Sequence, residues 1–176
     1  MARKKAQPKG QRRTLEESWR QMGWKKRPLL DHHAGYEREG DDADITFFRT
    51  GWEDADLSDL TMPRQYVNRS GFERVSFRNT DLNQSFMCWN DFVDCDFTDA
   101  DLACCCMRAS VFHNCTFVRC RLVGADLRGS EFEDCDFTDA DVTGACVEDD
   151  VGLGLSDEQW AAVDLCEYDP PEPKGG

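Results

Sequence analysis

A chain of 176 residues, 40% hydrophobic and 32% charged, has the length of one domain around one continuous core. It holds no apolar run of about 18 residues, and its basic start (1–13) lacks an apolar segment, so neither a helical membrane span nor a secretory signal is visible and the cytoplasm is the expected location. The net charge of −14 is uneven, with 11 Lys/Arg against 5 Asp/Glu in residues 1–40, 9 against 24 in 41–151, and 1 against 6 in 152–176. An acidic body is repelled by phosphate backbones, so direct nucleic-acid binding by the body is disfavoured, and only the basic arm suits anionic surfaces.

In the arm (1–40), Thr14-x-x-Glu17 has the form of a helix start and predicts a short helix carrying Leu15, Trp19 and Met22. His32-His33 beside Asp31 lacks a third ligand at useful spacing, so a solvated loop is expected there and not a metal site.

From Phe47 onward the chain keeps a period of five. Phe47, Trp52, Leu57, Met62, Val67, Phe72, Phe77, Leu82, Met87, Phe92 and Phe97 are followed without a polar interruption by Leu102, Met107, Phe112, Phe117, Leu122, Leu127, Phe132, Phe137, Val142 and Val147. Chance would give such a series on the order of 10⁻⁸ per frame, and a period of five fits neither an α-helix nor a flat strand. A second period of 20 aligns Phe72, Phe92, Phe112 and Phe132, and likewise Phe77, Phe97, Phe117 and Phe137. Two residues before each central position, from Ser70 to Ala145, the side chains are small. A chain that turns a corner every five residues, with one large and one small side chain inward, meets all these conditions. Four corners close a coil, and coils pair as parallel strands roughly 4.8 Å apart. Leu60, Gln65 and Pro63 depart from the pattern, so irregular winding is expected in the first coil.

Ala100-Asp101-Leu102, Ala125-Asp126-Leu127-Arg128-Gly129 and the duplicated Cys-Asp-Phe-Thr-Asp-Ala-Asp at 95–101 and 135–141 carry a resemblance to the A-[D/N]-L-x-x consensus of pentapeptide-repeat proteins. The resemblance covers 47–147. It implies an all-β fold, the right-handed quadrilateral parallel β-helix, over 41–151.

A solenoid must cover its open strand edges. Ser156-x-x-Gln159 has capping-box form, with Leu155 placed to staple onto Trp160, and predicts a C-terminal capping helix from about 157 to 165 within a cap spanning 152–168. Trp160, Val163 and Leu165 are its candidate cap and dimer residues, while the Pro/Gly-rich tail (169–176) is expected to be disordered.

Ten cysteines would suit a disulfide scaffold in a short secreted chain, but no signal is visible and the Cys104-Cys105-Cys106 run suits neither paired bridges nor a CxxC zinc site, so free thiols are expected. Cys95, Cys115 and Cys135 fall 20 apart in inward slots and read as packing; Cys88, Cys104, Cys106 and Cys146 fall in outward slots, open to oxidation. His113 reads as an isolated outward residue. No nucleophile with a partnered base can be nominated, so no catalytic residue, metal or cofactor is expected. The aspartates Asp94, Asp96, Asp99 and Asp101, repeated two coils on as Asp134, Asp136, Asp139 and Asp141, form outward acidic stripes and no convergent cleft.

Some pentapeptide-repeat proteins imitate the charge of DNA and bind DNA gyrase or topoisomerase IV, inhibiting the enzyme or protecting it from quinolone-type poisons. The resemblance thus implies a protein-binding β-helix whose acidic stripes meet a type II topoisomerase. It equally admits a general interaction module or a structural rod with no such role. A weak homodimer through the C-terminal end is the expected assembly, opposed by the acidity of that end.

Overall fold

In a computed structural model of the chain, which describes residues 12, 13, 17, 47–148 and 153–167, the period of five appears directly in the backbone. Every fifth residue from Arg49 to Gly144 has positive φ, seventeen of them non-glycine with φ between 51° and 60°. Each such residue turns a corner. Asp, Asn and Gly take this conformation readily, whereas Arg, Trp, Cys and Ala give up roughly 1–2 kcal/mol apiece, so burial of the side chains between corners must hold the coil closed.

The strands are the short straight pieces between corners. They are β1 (Phe47–Phe48), β2 (Gly51–Glu53), β3 (Val67–Asn68), β4 (Gly71–Glu73), β5 (Asp91–Val93), β6 (Val111–His113), β7 (Glu131–Glu133) and β8 (Cys146–Val147). A five-stranded parallel sheet β2-β4-β5-β6-β7 forms one face, in a register that pairs each residue with the one 20 later. Single parallel bridges at the same offset, such as Asp101↔Arg121 and Cys106↔Asp126, tie the other faces. The fold is therefore the parallel β-solenoid that the double period implies.

From Leu57 to Val147 every central residue of the repeat is buried. The Phe72, Phe92, Phe112 and Phe132 rings stack at centroid spacings of 4.8, 4.9 and 4.8 Å, and the Phe77, Phe97, Phe117 and Phe137 rings at 4.8, 5.0 and 4.7 Å. The spacing is that of the strands themselves. The two ladders meet edge to face, which is the favourable arrangement for aromatic quadrupoles. In the small slots, Thr80, Ser110 and Ser130 donate their hydroxyls to Leu57 O, Met87 O and Met107 O, so these three hydroxyls are satisfied along the axis. Cys95, Cys115 and Cys135 donate their thiols in the same way, to Phe72 O, Phe92 O and Phe112 O, which fits the packing role read from their spacing.

Four expectations need correction. The first coil winds in regular register, through Asp56↔Ser76, Thr61↔Asp81 and Tyr66↔Phe86. Leu60 and Gln65 are both buried in it, and the Gln65 amide donates to Pro63 O. Pro63 costs no ladder bond, since one coil later the matching N–H, that of Asn83, is given to the Asp81 side chain and not to a neighbouring coil. The C-terminal helix is only α1 (Asp157–Trp160), and the chain then resumes the solenoid as β9 (Asp164–Leu165), paired in parallel with β8. Cys88 is buried, not outward. Cys146 and Cys166 are joined in a disulfide that fastens β9 to β8, so the thiols are not all free.

The capping box is present: Ser156 Oγ accepts from Gln159 N, and Gln159 Oε1 accepts from Ser156 N. The amide of Gln159 also donates to Phe137 O and Ala140 O, and the second is the carbonyl that in earlier coils takes the N–H of the next coil. Trp160 and Val163 are half-buried against the core, as expected of a cap, whereas Leu165 is 63% exposed. The expected N-terminal helix, the His32-His33 pair and the 169–176 tail lie outside the described residues, apart from Glu17, which is helical. Among the described residues, no helix is long and apolar enough to cross a membrane.

Candidate binding surface

The aspartates of the repeat have local duties first. Asp96, Asp101, Asp136 and Asp141 each accept the backbone N–H of the residue two later, at 2.9, 3.1, 2.9 and 3.2 Å. These Asx turns set up the next corner. Asp94, Asp99, Asp134 and Asp139 are themselves the left-handed corner residues, with φ of 53°, 60°, 52° and 57°. The period in sequence thus follows from backbone geometry, and each carboxylate keeps at least one oxygen for other contacts.

The two groups differ in what those oxygens meet. Asp99 receives two bonds of 2.8 Å from the Arg119 guanidinium, which holds its carboxyl below the usual range. Asp101 pairs with Arg121 at 3.2 Å, and Asp96 with Arg78 at 2.8 Å. Burial opposes the charge on Asp96, yet bonds from Thr98 and Arg78 still lower its pKa. Asn114 Nδ2 donates to Asp94 at 2.5 Å. The basic arm adds to this. Arg12 Nε donates to Asn79 O at 2.9 Å and its guanidinium lies 4.0 Å from Asp101, while Arg13 N donates to Asp59 O and Arg13 O accepts from Thr61. Asp96, Asp99 and Asp101 are thus neutralised, with Arg12 adding to the cations near Asp101, and Asp94 meets the Asn114 amide.

The last coil is different. Glu131, Glu133, Asp134, Asp136, Asp139 and Asp141 are all exposed, and among the described residues none of them has an ion pair with Lys or Arg. Bonds from Thr138 hold the Asp136 carboxyl below its ordinary value, so it stays charged. Asp157, Glu158, Asp164 and Glu167 of the cap are exposed beside it. A cleft of about 730 Å³ separates coil and cap, with Asp136, Asp139, Asp141 and Glu158 on its walls. The unpaired acidity is therefore densest as a band round the carboxy-terminal coil, and the two stripes are not equal.

Glu131 and Glu133 belong to this band and escaped the motif, which matched only the duplicated 95–101 segment. The neutralising arginines were legible by adding 20: Arg119 lies over Asp99 and Arg121 over Asp101. His113 is not isolated, since its Nε2 is 3.6 Å from Glu133, with Asp134 beside them; these are exposed side chains with no further sign of a metal site.

The sequence model for pentapeptide repeats matches residues 72–114 and 105–144, with eight copies. No curated protein matches the chain. Among solved structures, HetL, a pentapeptide repeat protein involved in heterocyst differentiation regulation in the cyanobacterium Nostoc sp. strain PCC 7120, is 16% identical over 54% of this chain, with a TM-score of 0.52. The match spans 46% of that protein. A pentapeptide repeat protein of the Arabidopsis thaliana thylakoid lumen is 24% identical over 64% of this chain and 72% of its own, with a TM-score of 0.31. QnrB1, a plasmid-mediated fluoroquinolone resistance protein, is 15% identical over 67% of this chain and 78% of its own, with a TM-score of 0.32.

Proposed function

The chain is a pentapeptide-repeat protein, and we propose that it works as a non-catalytic binding rod whose acidic last coil docks on a basic protein surface. The observation that carries this reading is the uneven matching of charge: Asp96, Asp99 and Asp101 are paired with Arg78, Arg119 and Arg121, while Asp134, Asp136, Asp139 and Asp141 are exposed and without such partners among the described residues. Evenly distributed acidity would serve solubility alone. The partner to test is a type II topoisomerase, DNA gyrase or topoisomerase IV, whose DNA-binding surface is basic and suits rows of carboxylates on a narrow rod. Pure protein is expected to inhibit gyrase supercoiling, or to protect it from a quinolone, and to do so less as salt rises, because exposed charges are screened over about 8 Å near physiological ionic strength. Supercoiling that is indifferent to the protein, with and without the drug, would remove gyrase as the partner.

A second reading is favoured by β7, the last strand of the five-stranded sheet among the described residues. Charge on such an edge blocks end-to-end stacking of rods, and the band would then serve only to keep the protein from polymerising.

Assembly follows from the same surface. Trp160 and Val163 are occupied on the core, which leaves Leu165 as the exposed large apolar side chain of this end among the described residues. We expect a weak dimer through this end. Salt screens repulsion between the acidic ends without weakening apolar burial, so the dimer should tighten as ionic strength rises. Leu165→Glu should abolish it. Light scattering that shows a monomer at every salt concentration and high protein concentration would contradict the dimer.

A further inference from the structure

The solenoid register makes a recurring diagonal contact between side chains 18 residues apart. Ser58 Oγ meets Ser76 Oγ at 2.7 Å, Arg78 meets Asp96 at 2.8 Å, and Arg108 meets Asp126 at 3.7 Å. The same diagonal brings Cys88 Sγ to 3.3 Å from Cys106 Sγ. The repeat lattice therefore builds this pair, one thiol from each of two successive coils.

We propose that Cys88 and Cys106 are a peroxide-responsive dithiol, which closes to a disulfide linking two successive coils. Cys88 is buried and its S–H also lies 3.4 Å from Cys106 O; Cys106 is half-exposed and open to a small oxidant. Phe86 is the bridge partner of Cys106 in the preceding coil and Asp126 in the following one, with Arg108 beside them and paired to Asp126. A hydrogen bond from Cys88 pulls the Cys106 thiol down to about 6, with Arg108 assisting, while the same contact and burial push Cys88 up. The pair is thus divided into a thiolate and a thiol, as nucleophile and resolving residue must be. Cys115 likewise hydrogen-bonds to Cys95 and Cys135 and lowers both thiols, but Cys95 and Cys115 are buried, and among the described residues no basic side chain stands beside this column as Arg108 stands beside Cys106. Burial pushes Cys105 and Cys120 up.

The chemistry balances with hydrogen peroxide as oxidant. The Cys106 thiolate attacks one peroxide oxygen, the O–O bond breaks, and the departing hydroxide takes a proton to leave as water. The sulfur, now a sulfenic acid, has lost two electrons to the peroxide. Cys88 then gives up its proton as its sulfur attacks Cys106 Sγ; the S–O bond breaks, a second water leaves, and the S–S bond remains. Closing from 3.3 Å to a bonded length of about 2.05 Å needs only about 1.2 Å of movement.

The test treats the full chain with equimolar hydrogen peroxide, blocks residual thiols, and maps chymotryptic peptides under non-reducing conditions, since cleavage after Trp89, Phe97 and Leu102 separates the two cysteines. A Cys88–Cys106 cross-link is expected in the parent and in Cys104→Ser, reversible by dithiothreitol, and absent in Cys106→Ser. Arg108→Gln, which leaves both sulfurs in place, should slow iodoacetamide alkylation of Cys106 at pH 7 several-fold and move its pH midpoint upward. Peroxide that leaves both thiols reduced, carries Cys106 to sulfinic acid without a cross-link, or links Cys88 through Cys104 would overturn the assignment.

Discussion

Phe97→Asp is expected to abolish the cooperative folded state. Phe97 is fully buried, with Phe77 and Phe117 stacked on its two faces at 4.8 and 5.0 Å and Phe92 edge-on at 5.4 Å. Removing a buried phenylalanine costs about 3–5 kcal/mol, and a carboxylate in its place finds no cation in the apolar interior, which adds several kcal/mol more. Domains of this size hold about 5–15 kcal/mol in all. Circular dichroism should show the β signal lost at 25 °C, whereas Asp139→Asn, at an exposed corner that Asn tolerates as well as Asp, should melt within a few degrees of the parent. A Phe97→Asp protein that retains a sharp melting transition near the parent's would refute the ladder as the source of stability.

Cys166→Ser is expected to release the C-terminal cap. The disulfide closes a loop of 20 residues on Cys146, worth about 3 kcal/mol in the chain-entropy picture. Without it the cap keeps the β8–β9 pairing, the Gln159 bonds and half-buried Trp160 and Val163. That is a small interface. Limited proteolysis should cut the variant between 153 and 167 while the coils survive, and reducing the parent should reproduce the pattern. Equal resistance in oxidised, reduced and mutant protein would show that the pairing and packing suffice.

Much of the fold was legible because the repeat is a one-dimensional code. The period of five marks corners, and the period of 20 fixes which residues stack, so the Phe ladders and the column of Cys95, Cys115 and Cys135 could be read off. The failures arose where neighbours outside the column decide. Slot arithmetic placed Cys88 outward, but its contact is diagonal, toward Cys106. Cys146 and Cys166 are 20 apart and so were in register. The apolar period ends at Val147 and the capping box predicts helix to about 165, which hides the link, whereas the segment after α1 re-enters the solenoid as β9. For the binding surface, the motif located the aspartates but not their partners; Arg12, far away in sequence, and the arginines one coil on are what make one acidic segment neutral and leave the other free.

That difference provides the decisive comparison. One variant carries Asp94, Asp96, Asp99 and Asp101 as Asn, the other Asp134, Asp136, Asp139 and Asp141 as Asn. Each changes the net charge from −14 to −10, and Asn preserves the Asx turns and tolerates the corners, so both should remain folded. Binding to gyrase, measured by calorimetry at low salt, should be nearly intact in the first variant and weakened at least tenfold in the second. Equal loss in both would reduce the effect to total charge, and undiminished binding in the second, or its self-association in place of lost binding, would contradict the last coil as the docking face.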